Sequence, residues 1–259
     1  MKRIAALIIA IACAWTAVAP TEVDARGRWL KLRRKGVSSV IAAARDQVAP
    51  KLVYKRYERD VFEDAPDAGL AVEVARRPMK KGKSDLSIRF WDGKTLVAAL
   101  AVVKGKMTVR HGKSAPTSAA AELFRNVPKL GVPLILWAPL DILANYRLKL
   151  EGEFQGTALF RLNVDYTSAK GWQPMKLGIS KQSLMPTVSE VVDSKSMPTS
   201  RLLMMRPRQR QELIIAEKLR LRSMKRSKPL DFVLDVLEVG KSKRALFGVQ
   251  ALQAKTAKR

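Results

Sequence analysis

Apolar and polar residues alternate along most of the chain after residue 50. The clearest example is TALFRLNVDY, residues 157–166, where one face carries the apolar side chains Ala158, Phe160, Leu162, Val164 and Tyr166. The opposite face carries Arg161, Asn163 and Asp165. A period of two with one apolar and one polar face is typical of a strand in an antiparallel sheet that is solvated on one side.

The same alternation recurs in eleven other stretches, which are separated by Gly- and Pro-containing turns such as DGK, residues 92–94, and KGK, residues 104–106. We predict strands in residues 51–62, 69–77, 84–91, 95–103, 106–111, 146–154, 173–182, 186–194, 200–206, 212–223 and 229–239. Together with residues 157–166, these stretches predict about a dozen strands in a single antiparallel architecture.

Helical patterns are few. Residues 36–48 and 117–124 are Ala-rich, and Ser38 or Ser39 and Thr117 are candidate N-caps for two short helices. The strongly apolar stretch GVPLILWAPLDILANY, residues 131–146, contains Pro133 and Pro139 and therefore cannot form one regular helix. We interpret it as a broken segment inserted between two sets of strands. No repeat or long linker is visible, so we predict one domain over residues 26–259, ending in a basic tail.

The first 25 residues resemble a secretory signal peptide: a short basic start is followed by an apolar run over residues 4–19. The small residues Val23 and Ala25 place the cleavage site before Arg26, and the protein is expected in the periplasm. The only cysteine, Cys13, stands in a poor lipobox, so an outer-membrane lipoprotein anchored through Cys13 is the alternative. Otherwise the mature chain contains no cysteine and cannot form a disulfide or a thiolate metal site.

The chain carries 49 Lys and Arg residues against 23 Asp and Glu residues, a formal net charge of +26. The predicted signal peptide contributes two basic and two acidic residues, so its removal leaves this charge unchanged. Such a charge attracts polyanions, including acidic lipid surfaces and nucleic acid, and does not by itself indicate which of them the protein binds. The basic stretches 26–35, 76–83 and 218–228 are interpreted as solvated strand faces with turns, and a dedicated anion-binding patch is the alternative.

The residues of common catalytic and metal sites are missing. His111 is the only histidine, and with no cysteine in the mature chain it cannot complete a zinc site of nitrogen and sulfur ligands. The surrounding VRHGKSAP shows no nucleophile pattern. No Gly-rich phosphate loop follows a strand, and no aromatic-plus-basic motif indicates a nucleic-acid module. We therefore predict a protein that is not an enzyme, binds no cofactor or metal, and has no nucleic-acid partner.

A dozen amphipathic strands present a large apolar face, and two short helices with one broken segment give it little cover. Either the sheet rolls up on itself, or part of this face lines a cavity that the broken segment closes. A cavity would imply an apolar ligand, because burial contributes about 0.8 kcal/mol per methylene group.

The order of these elements resembles a known family. The stretch ANYRLKLEGEFQGTALFRLNVDYTSAKGWQPMKLGISKQSLMPTVSEVVDSKSMPTSRLLM, residues 144–204, and the closing LDFVLDVLEVGKSKRALFGVQAL, residues 230–252, are similar to the strand succession of LolA-like periplasmic lipoprotein-sorting proteins. The resemblance covers residues 36–252. It implies a mainly β fold of the α+β type: a curved, incomplete antiparallel β-barrel of about eleven or twelve strands with a short helical lid.

The resemblance also implies a function, carriage of lipoprotein or lipid acyl chains on the concave apolar face toward the outer membrane, with a membrane donor or acceptor protein as partner. The candidate cavity and lid residues are Leu86, Ile88, Phe90, Leu134, Trp137, Leu140, Phe160, Leu162 and Val164. Candidate contacts for anionic headgroups or an anionic membrane surface are Arg220 and Arg222. Two alternatives stay open: an envelope-stress sensor or scaffold of the same fold that binds a protein, and an exported polyanion-binding protein.

Overall fold

The structure is a computed structural model. It describes residues 22–46, 51–56, 69–78, 84–138, 140–141, 143, 146–164, 171–210, 213–224, 228–238 and 252. The predicted signal peptide lies almost entirely outside these residues.

All twelve predicted strands are present. They are β1 (Lys51–Arg56), β2 (Leu70–Pro78), β3 (Ser84–Asp92), β4 (Thr95–Val103), β5 (Lys106–His111), β6 (Tyr146–Phe154), β7 (Thr157–Val164), β8 (Met175–Ser180), β9 (Pro186–Val192), β10 (Pro198–Arg210), β11 (Leu213–Ser223) and β12 (Leu230–Glu238). Every pairing is antiparallel, in the order β5-β4-β3-β2-β1-β12-β11-β10-β9-β8-β7-β6. The mainly β architecture is confirmed.

Most neighbouring strands follow one another in the chain, so short turns set their register. The β6–β7 turn has two residues, Gln155 (φ 44°) and Gly156 (φ 76°), both in the left-handed region. Two such residues match the right-handed twist of a hairpin. The pairing of β1 with β12 is different, because it joins the two ends of the domain. It merges two runs of hairpins into one sheet.

Among the described residues, four helical elements accompany the sheet: α1 (Glu22–Arg34), α2 (Val37–Asp46), α3 (Ala120–Phe124) and a 3-10 helix (Leu134–Trp137). The expectation of a strand face for residues 26–35 is wrong, because residues 26–34 belong to α1 and Lys35 stands in the turn after it. Trp29 and Leu32 lie three residues apart on one side of α1 and pack on the core, whereas Leu30 is half exposed. The candidate caps are also corrected: α2 begins before Ser38, and the N-cap of α3 is Ala119.

The sheet is curved, as three aromatic rings demonstrate. The indole of Trp137 lies 5.3 Å from the ring of Phe90 on β3 and 6.4 Å from the ring of Phe232 on β12. In a flat sheet these two strands would be about 14 Å apart, since three spacings of about 4.8 Å separate them. The same 3-10 helix also contacts β9 and β10. The sheet therefore wraps around this helix as an incomplete barrel.

The apolar core fills the inner face of the curved sheet, the face on which the 3-10 helix packs. It takes residues from every strand from β2 to β12 whose side chains are described, together with Val40 and Ile41 of α2. A smaller cluster lies on the outer face, where Leu252 packs on Leu96, Ala99 and Ala101 of β4. The backbone carbonyl of Leu252 also accepts a hydrogen bond from Arg110 of β5.

The outer face carries many of the basic residues in ion pairs. Arg89 donates to Glu73 at 2.7 Å across β2 and β3, and its guanidinium stacks over Trp91. Arg77 pairs with the buried carboxylate of Asp85. Neighbouring strands thus offset part of the positive charge locally, which lowers the repulsion that so basic a sheet would otherwise carry.

Candidate functional site

The inner face is closed by residues 132–141, which we call the closing segment; its described part includes the 3-10 helix. Its side chains from Leu134 to Ala138 are buried. Pro133, with φ −78° and ψ 155°, stands before the helix and fixes an extended entry, and the helix lasts only four residues. The prediction of a broken, inserted segment is confirmed.

The apolar candidates from the sequence come together in one core. Leu86, Ile88 and Phe90 of β3 are fully buried, as are Phe160 and Leu162 of β7. Leu134, Trp137 and Leu140 of the closing segment belong to the same cluster, and Val164 packs against it while partly exposed. The closing segment and the sheet therefore form one packed unit in this conformation. Whether these side chains contact an acyl chain stays a prediction.

Trp137 occupies the centre of this arrangement. Its ring meets Phe90 and Phe232 edge to face, at interplanar angles of 79° and 89°. Its Nε1 is buried, and no hydrogen-bond partner lies near it among the described residues. A buried donor without an acceptor costs roughly 1–3 kcal/mol. A carbonyl or ester oxygen brought to this position would remove that cost.

A polar clamp holds the end of the closing segment. Arg76 of β2 donates two hydrogen bonds to the carboxylate of Asp141, at 2.7 and 2.8 Å. Both side chains are nearly inaccessible to solvent, at 7% and 2% exposure. Arg45 of α2 donates to the carbonyl of Leu140 at 2.7 Å. One ion pair and one hydrogen bond thus tie the closing segment to the sheet and to a helix.

A tight turn holds the start of the closing segment. The amide of Val127 donates to the carbonyl of Val132, and that of Gly131 donates to the carbonyl of Val127. Lys129 and Gly131 have positive φ, 64° and 68°, as such a turn requires. Leu130 is buried beneath it. The closing segment is therefore fixed at both ends and apolar between them.

An aromatic group lies where β6 begins. Tyr146 and Phe124 each contact Trp172 edge to face, at 5.4 and 5.9 Å. The Tyr146 hydroxyl donates to the carbonyl of Gln173 at 2.9 Å. Burial raises the pKa of this phenol well above its ordinary value, so it stays a neutral donor. It anchors a loop and supplies no acid or base.

The two headgroup candidates of β11 occupy different environments. Arg220 donates two hydrogen bonds to the buried carboxylate of Asp231, at 2.7 and 2.8 Å, and Lys218 pairs with the same group. Burial alone would raise the pKa of Asp231. The hydrogen bonds and charges of Arg220 and Lys218 together lower it by more than burial raises it, so the pKa lies below its ordinary value. Arg222 is exposed. Arg222 is the more accessible headgroup candidate of the two.

Arg222 lies near the end of β11, beside the start of β10. The amide of Met224, directly after β11, donates to the carbonyl of Thr199 on β10. Met197 and Met224 are 60% and 77% exposed, and Lys195 and Lys228 are also exposed. Exposed thioethers among cations form a surface that suits an anionic bilayer.

His111 holds a helix against a strand. Its Nε2 donates to the carbonyl of Glu122 at 2.8 Å, which ties β5 to α3. Within the described ranges, no three His, Cys, Asp or Glu side chains lie close enough together to hold a metal ion. Over those same ranges, no helix is long and apolar enough to cross a bilayer.

The charged residues of the clamp, Arg76 and Asp141, were not among the candidates predicted from the sequence. Arg76 occupies the inner-facing register of β2, because it follows Leu70, Val72 and Val74 at intervals of two. An arginine at an apolar-facing position is unusual unless it is paired. Asp141 is likewise the single acid of an apolar stretch. The two signals were present in the sequence, but their pairing depends on how the closing segment folds back onto β2.

Comparison with known proteins identifies the fold. A domain from Vibrio parahaemolyticus described as an outer membrane lipoprotein-sorting protein superposes with a TM-score of 0.56 at 10% identity, over 88% of this chain and 99% of that one. A DUF1329 family protein from Desulfovibrio piger superposes with a TM-score of 0.54 at 15% identity, over 82% and 96% of the two chains. The chain has the LolA-like fold.

A LolA superfamily protein from Nitrosomonas europaea is also similar, with a TM-score of 0.46 at 10% identity over 83% of this chain and 98% of that one. No protein-family model matches the sequence, and no curated protein matches it. At these identities the similarity concerns the fold alone.

Proposed function

We propose that the protein is a non-enzymatic periplasmic carrier that binds acyl chains of lipoproteins or anionic lipids on its inner face for transfer toward the outer membrane. The observation that carries this proposal is the closing segment. The inner face of a twelve-stranded sheet is covered at its centre by a four-residue 3-10 helix instead of a second sheet. A cover this small can move without unfolding the strands beneath it.

The free energies of burying the closing segment and of burying an acyl chain favour reversible exchange between the two. Lifting the closing segment exposes Leu134, Ile135, Leu136 and Trp137, at a cost of about 1.5–3 kcal/mol each, or roughly 6–12 kcal/mol in all. A buried acyl chain of about fourteen methylene groups contributes on the order of 11 kcal/mol. The two amounts are similar. The bound chain would then offset the apolar cost of lifting the closing segment, whereas breaking the Arg76–Asp141 pair adds a cost that favours closure and release of the cargo.

The chemistry of the site suits an acylated ligand in a second respect. Among the described residues, Trp137 Nε1 has no acceptor, and once the closing segment is lifted the indole gains one from solvent or from an ester or amide carbonyl at the head of an acyl chain. Exposed cations such as Arg222 would attract an anionic headgroup or membrane surface before transfer. A donor or acceptor protein in the membrane is part of the proposal.

A probe-binding assay tests whether the protein binds acyl chains. Detergent-free mature protein is mixed with a fluorescent fatty-acyl probe, and binding is followed in the wild type and in Leu134→Asn. The wild type should bind saturably. The variant should bind more weakly, because it places an amide on the apolar path. Lys113→Gln, an exposed change near β5, serves as the matched control. If none of the three proteins binds the probe, the protein is not an acyl carrier.

The packing of the inner face also favours a second candidate, an envelope sensor or scaffold of the same fold that binds a protein partner. The apolar candidates are already covered by the chain itself. Such a protein would have no need to open, and its surface would carry the function. Probe binding distinguishes the two candidates, because the scaffold takes up no acyl probe and retains its stability and fold.

A further inference from the structure

A cation stands at one end of the apolar strip that the proposed function assigns to an acyl chain. The strip is formed by Leu86, Ile88 and Phe90, which follow one another along the inner face of β3 and are fully buried. It is about 13 Å long, because each residue of a strand rises about 3.3 Å. Arg76 of β2 lies directly opposite Leu86, on the same face of the sheet. The inner face therefore combines a charged end with an apolar path, as a site for an amphiphile requires.

The closing segment brings a carboxylate to this charged end. Arg76 donates one hydrogen bond to each oxygen of Asp141, at 2.7 and 2.8 Å. Asp141 is the only acid within residues 131–146, and the apolar 3-10 helix and Leu140 precede it. The segment that covers the inner face is thus itself an apolar stretch with one anion at its end. In the closed protein it occupies the place of a ligand, with the chemical order of an anionic amphiphile.

Lifting the closing segment separates these groups. Asp141 leaves with the segment, whereas Arg76 stays on β2. Arg45 of α2 loses the carbonyl of Leu140, to which it donates at 2.7 Å. In the empty open protein, water can replace both acceptors. An acyl chain that then fills the inner face excludes this water again, so the guanidinium of Arg76 is buried with whatever group the ligand brings.

The charge of the ligand decides how costly this burial is. Only 7% of the Arg76 side chain is exposed in the closed protein, so neighbouring groups compensate its charge and bulk solvent does not. Burying a charge beside an apolar chain that brings no anion is costly, whereas exchanging one carboxylate partner for another is nearly balanced. A neutral acyl chain therefore bears the full cost of opening the clamp, and an anionic one recovers most of it.

The geometry of the clamp also selects the kind of anion. A guanidinium is a planar fork whose two N–H groups match two oxygens of one carboxylate or phosphate group. Asp141 contributes one negative charge, so the group that replaces it carries one as well. A carboxylate and a phosphodiester satisfy both conditions. The carbonyl of a neutral ester or amide offers Arg76 one acceptor oxygen and no charge.

We propose that the protein selects acyl ligands that carry a single anionic group at the head of the chain, and that this group takes the place of Asp141 on Arg76. The chain then runs from Leu86 toward Phe90 along β3. Two sources supply this chemistry, a fatty acid through its carboxylate and a phospholipid through its phosphodiester. Arg76 is the residue that distinguishes such ligands from neutral acyl chains.

Arg76 and the exposed Arg222 would act at different stages of binding. Arg222 faces solvent, so it attracts anions from a distance, and salt screens this attraction. Arg76 meets the ligand only after the closing segment has lifted, at a place that the acyl chain shields from salt. Raising the salt concentration should therefore remove the contribution of Arg222 and leave most of the preference that Arg76 provides.

Selection by Arg76 rests on the proposed acyl carriage, and two pairs of probes test it. A fluorescent stearic acid is compared with its methyl ester, which differs only in the charge at the head. Dihexanoyl phosphatidylglycerol is compared with uncharged dihexanoylglycerol, by competition against the fluorescent probe. All four are titrated into detergent-free mature protein at about pH 8, where a carboxyl is ionised.

We expect wild type to bind the charged member of at least one pair about tenfold to a hundredfold more tightly, through charge-assisted hydrogen bonds. Arg76→Met should reduce this preference to within about twofold, and Arg76→Lys should keep part of it, because an ammonium retains the charge without the fork. Lys113→Gln, an exposed change, should leave the preference as it is. If Arg76→Met does not fold, the double variant Arg76→Met/Asp141→Asn replaces it, because it buries no unpaired charge.

The pair that shows the preference names the source of the anion, carboxylate or phosphodiester, and a preference in both pairs means that either suffices. If no probe binds, carriage and selection are both wrong. If the probes bind and neither pair shows a preference, carriage stands and selection by Arg76 is wrong. A preference that survives in Arg76→Met, or that Arg222→Gln or about 0.5 M salt abolishes, would belong to the exposed surface and would likewise overturn the proposal.

Discussion

The ion pair between Arg76 and Asp141 provides the most specific test of how the inner face is closed. Asp141→Asn keeps the shape of the side chain and removes its charge. Both partners are almost fully buried, so the charge of Arg76 loses a counterion that solvent cannot replace. Removing one partner of a buried pair costs about 3–5 kcal/mol, against about 5–15 kcal/mol for the total stability of a domain.

Urea unfolding followed by circular dichroism measures this loss. We expect Asp141→Asn and Arg76→Met each to lower the free energy of unfolding by about 3–5 kcal/mol. The double variant should lose much less than their sum, because it buries no unpaired charge. The matched control is Glu217→Gln, which removes the acid of an outer pair whose Arg208 partner is 57% exposed. That change should cost less than about 1 kcal/mol.

The same variants report on function. Weakening the clamp raises the population with a lifted closing segment, so Asp141→Asn should take up a fluorescent acyl probe faster than wild type. If the two single variants each lose less than 1 kcal/mol of unfolding free energy and these losses add, Arg76 and Asp141 do not form a coupled buried ion pair. Unchanged probe uptake in a variant that is clearly destabilised would show that the clamp stabilises the fold without gating the inner face.

Three further predictions concern the sheet and its charge. The pKa of Asp231 is lowered in the folded state, so its stabilising effect is complete above the unfolded value of about 3.9 and is lost as the pH falls through the folded pKa. The stability difference between wild type and Asp231→Asn should therefore be constant from pH 7 to about pH 5 and shrink below about pH 4 in acid titrations; a difference that grows in acid would contradict this. Phe160→Ala, at a fully buried position, should lower the free energy of unfolding by about 3–5 kcal/mol in urea, and a loss below 1 kcal/mol would place Phe160 at an open surface. Binding to phosphatidylglycerol vesicles in sedimentation assays should weaken strongly between about 0.05 and 0.3 M salt, because salt screens the attraction between charges. Met224→Ser should weaken vesicle binding further, because an exposed apolar side chain that inserts into the bilayer is lost. Binding that does not depend on salt would show that the charged surface does not hold the vesicle.

The strands could be predicted because antiparallel strands with one wet face leave a direct trace in the sequence. In β7 the buried residues Ala158, Phe160 and Leu162 alternate with more accessible ones, as the pattern required. The strands β4, β5 and β6 end at the expected residues because short turns punctuate them. Local chemistry determines these features, so a single sequence suffices to find them.

The helix α1 could not be predicted in the same way. Its apolar side chains are few, and seven of its thirteen residues are charged. A basic stretch of this composition resembles an exposed strand or arm. What makes it a helix on the core is the burial of Trp29 and the contact of Arg33 with Glu153 on the distant β6. Tertiary contacts override a weak local preference here.

The long-range pairings were also beyond the sequence. The pairing of β1 with β12 joins Lys51 to Glu238 and merges the hairpins into one curved sheet. The pairing of Arg76 with Asp141 depends on that curvature, because the closing segment must lie against β2. The burial of the apolar candidates could be predicted from the pattern, whereas the charged clamp beside them required the topology.

Native mass spectrometry of protein purified from the periplasm without detergent tests acyl carriage most directly, together with solvent extraction of whatever accompanies it. A carrier should show a second mass in stoichiometric amount, and extraction should yield an acylated lipid or lipopeptide that Asp141→Asn retains less tightly. A clean mass of the mature chain alone, with no uptake of a fluorescent acyl probe, would contradict carriage and leave a basic sheet whose partner has to be sought by pull-down.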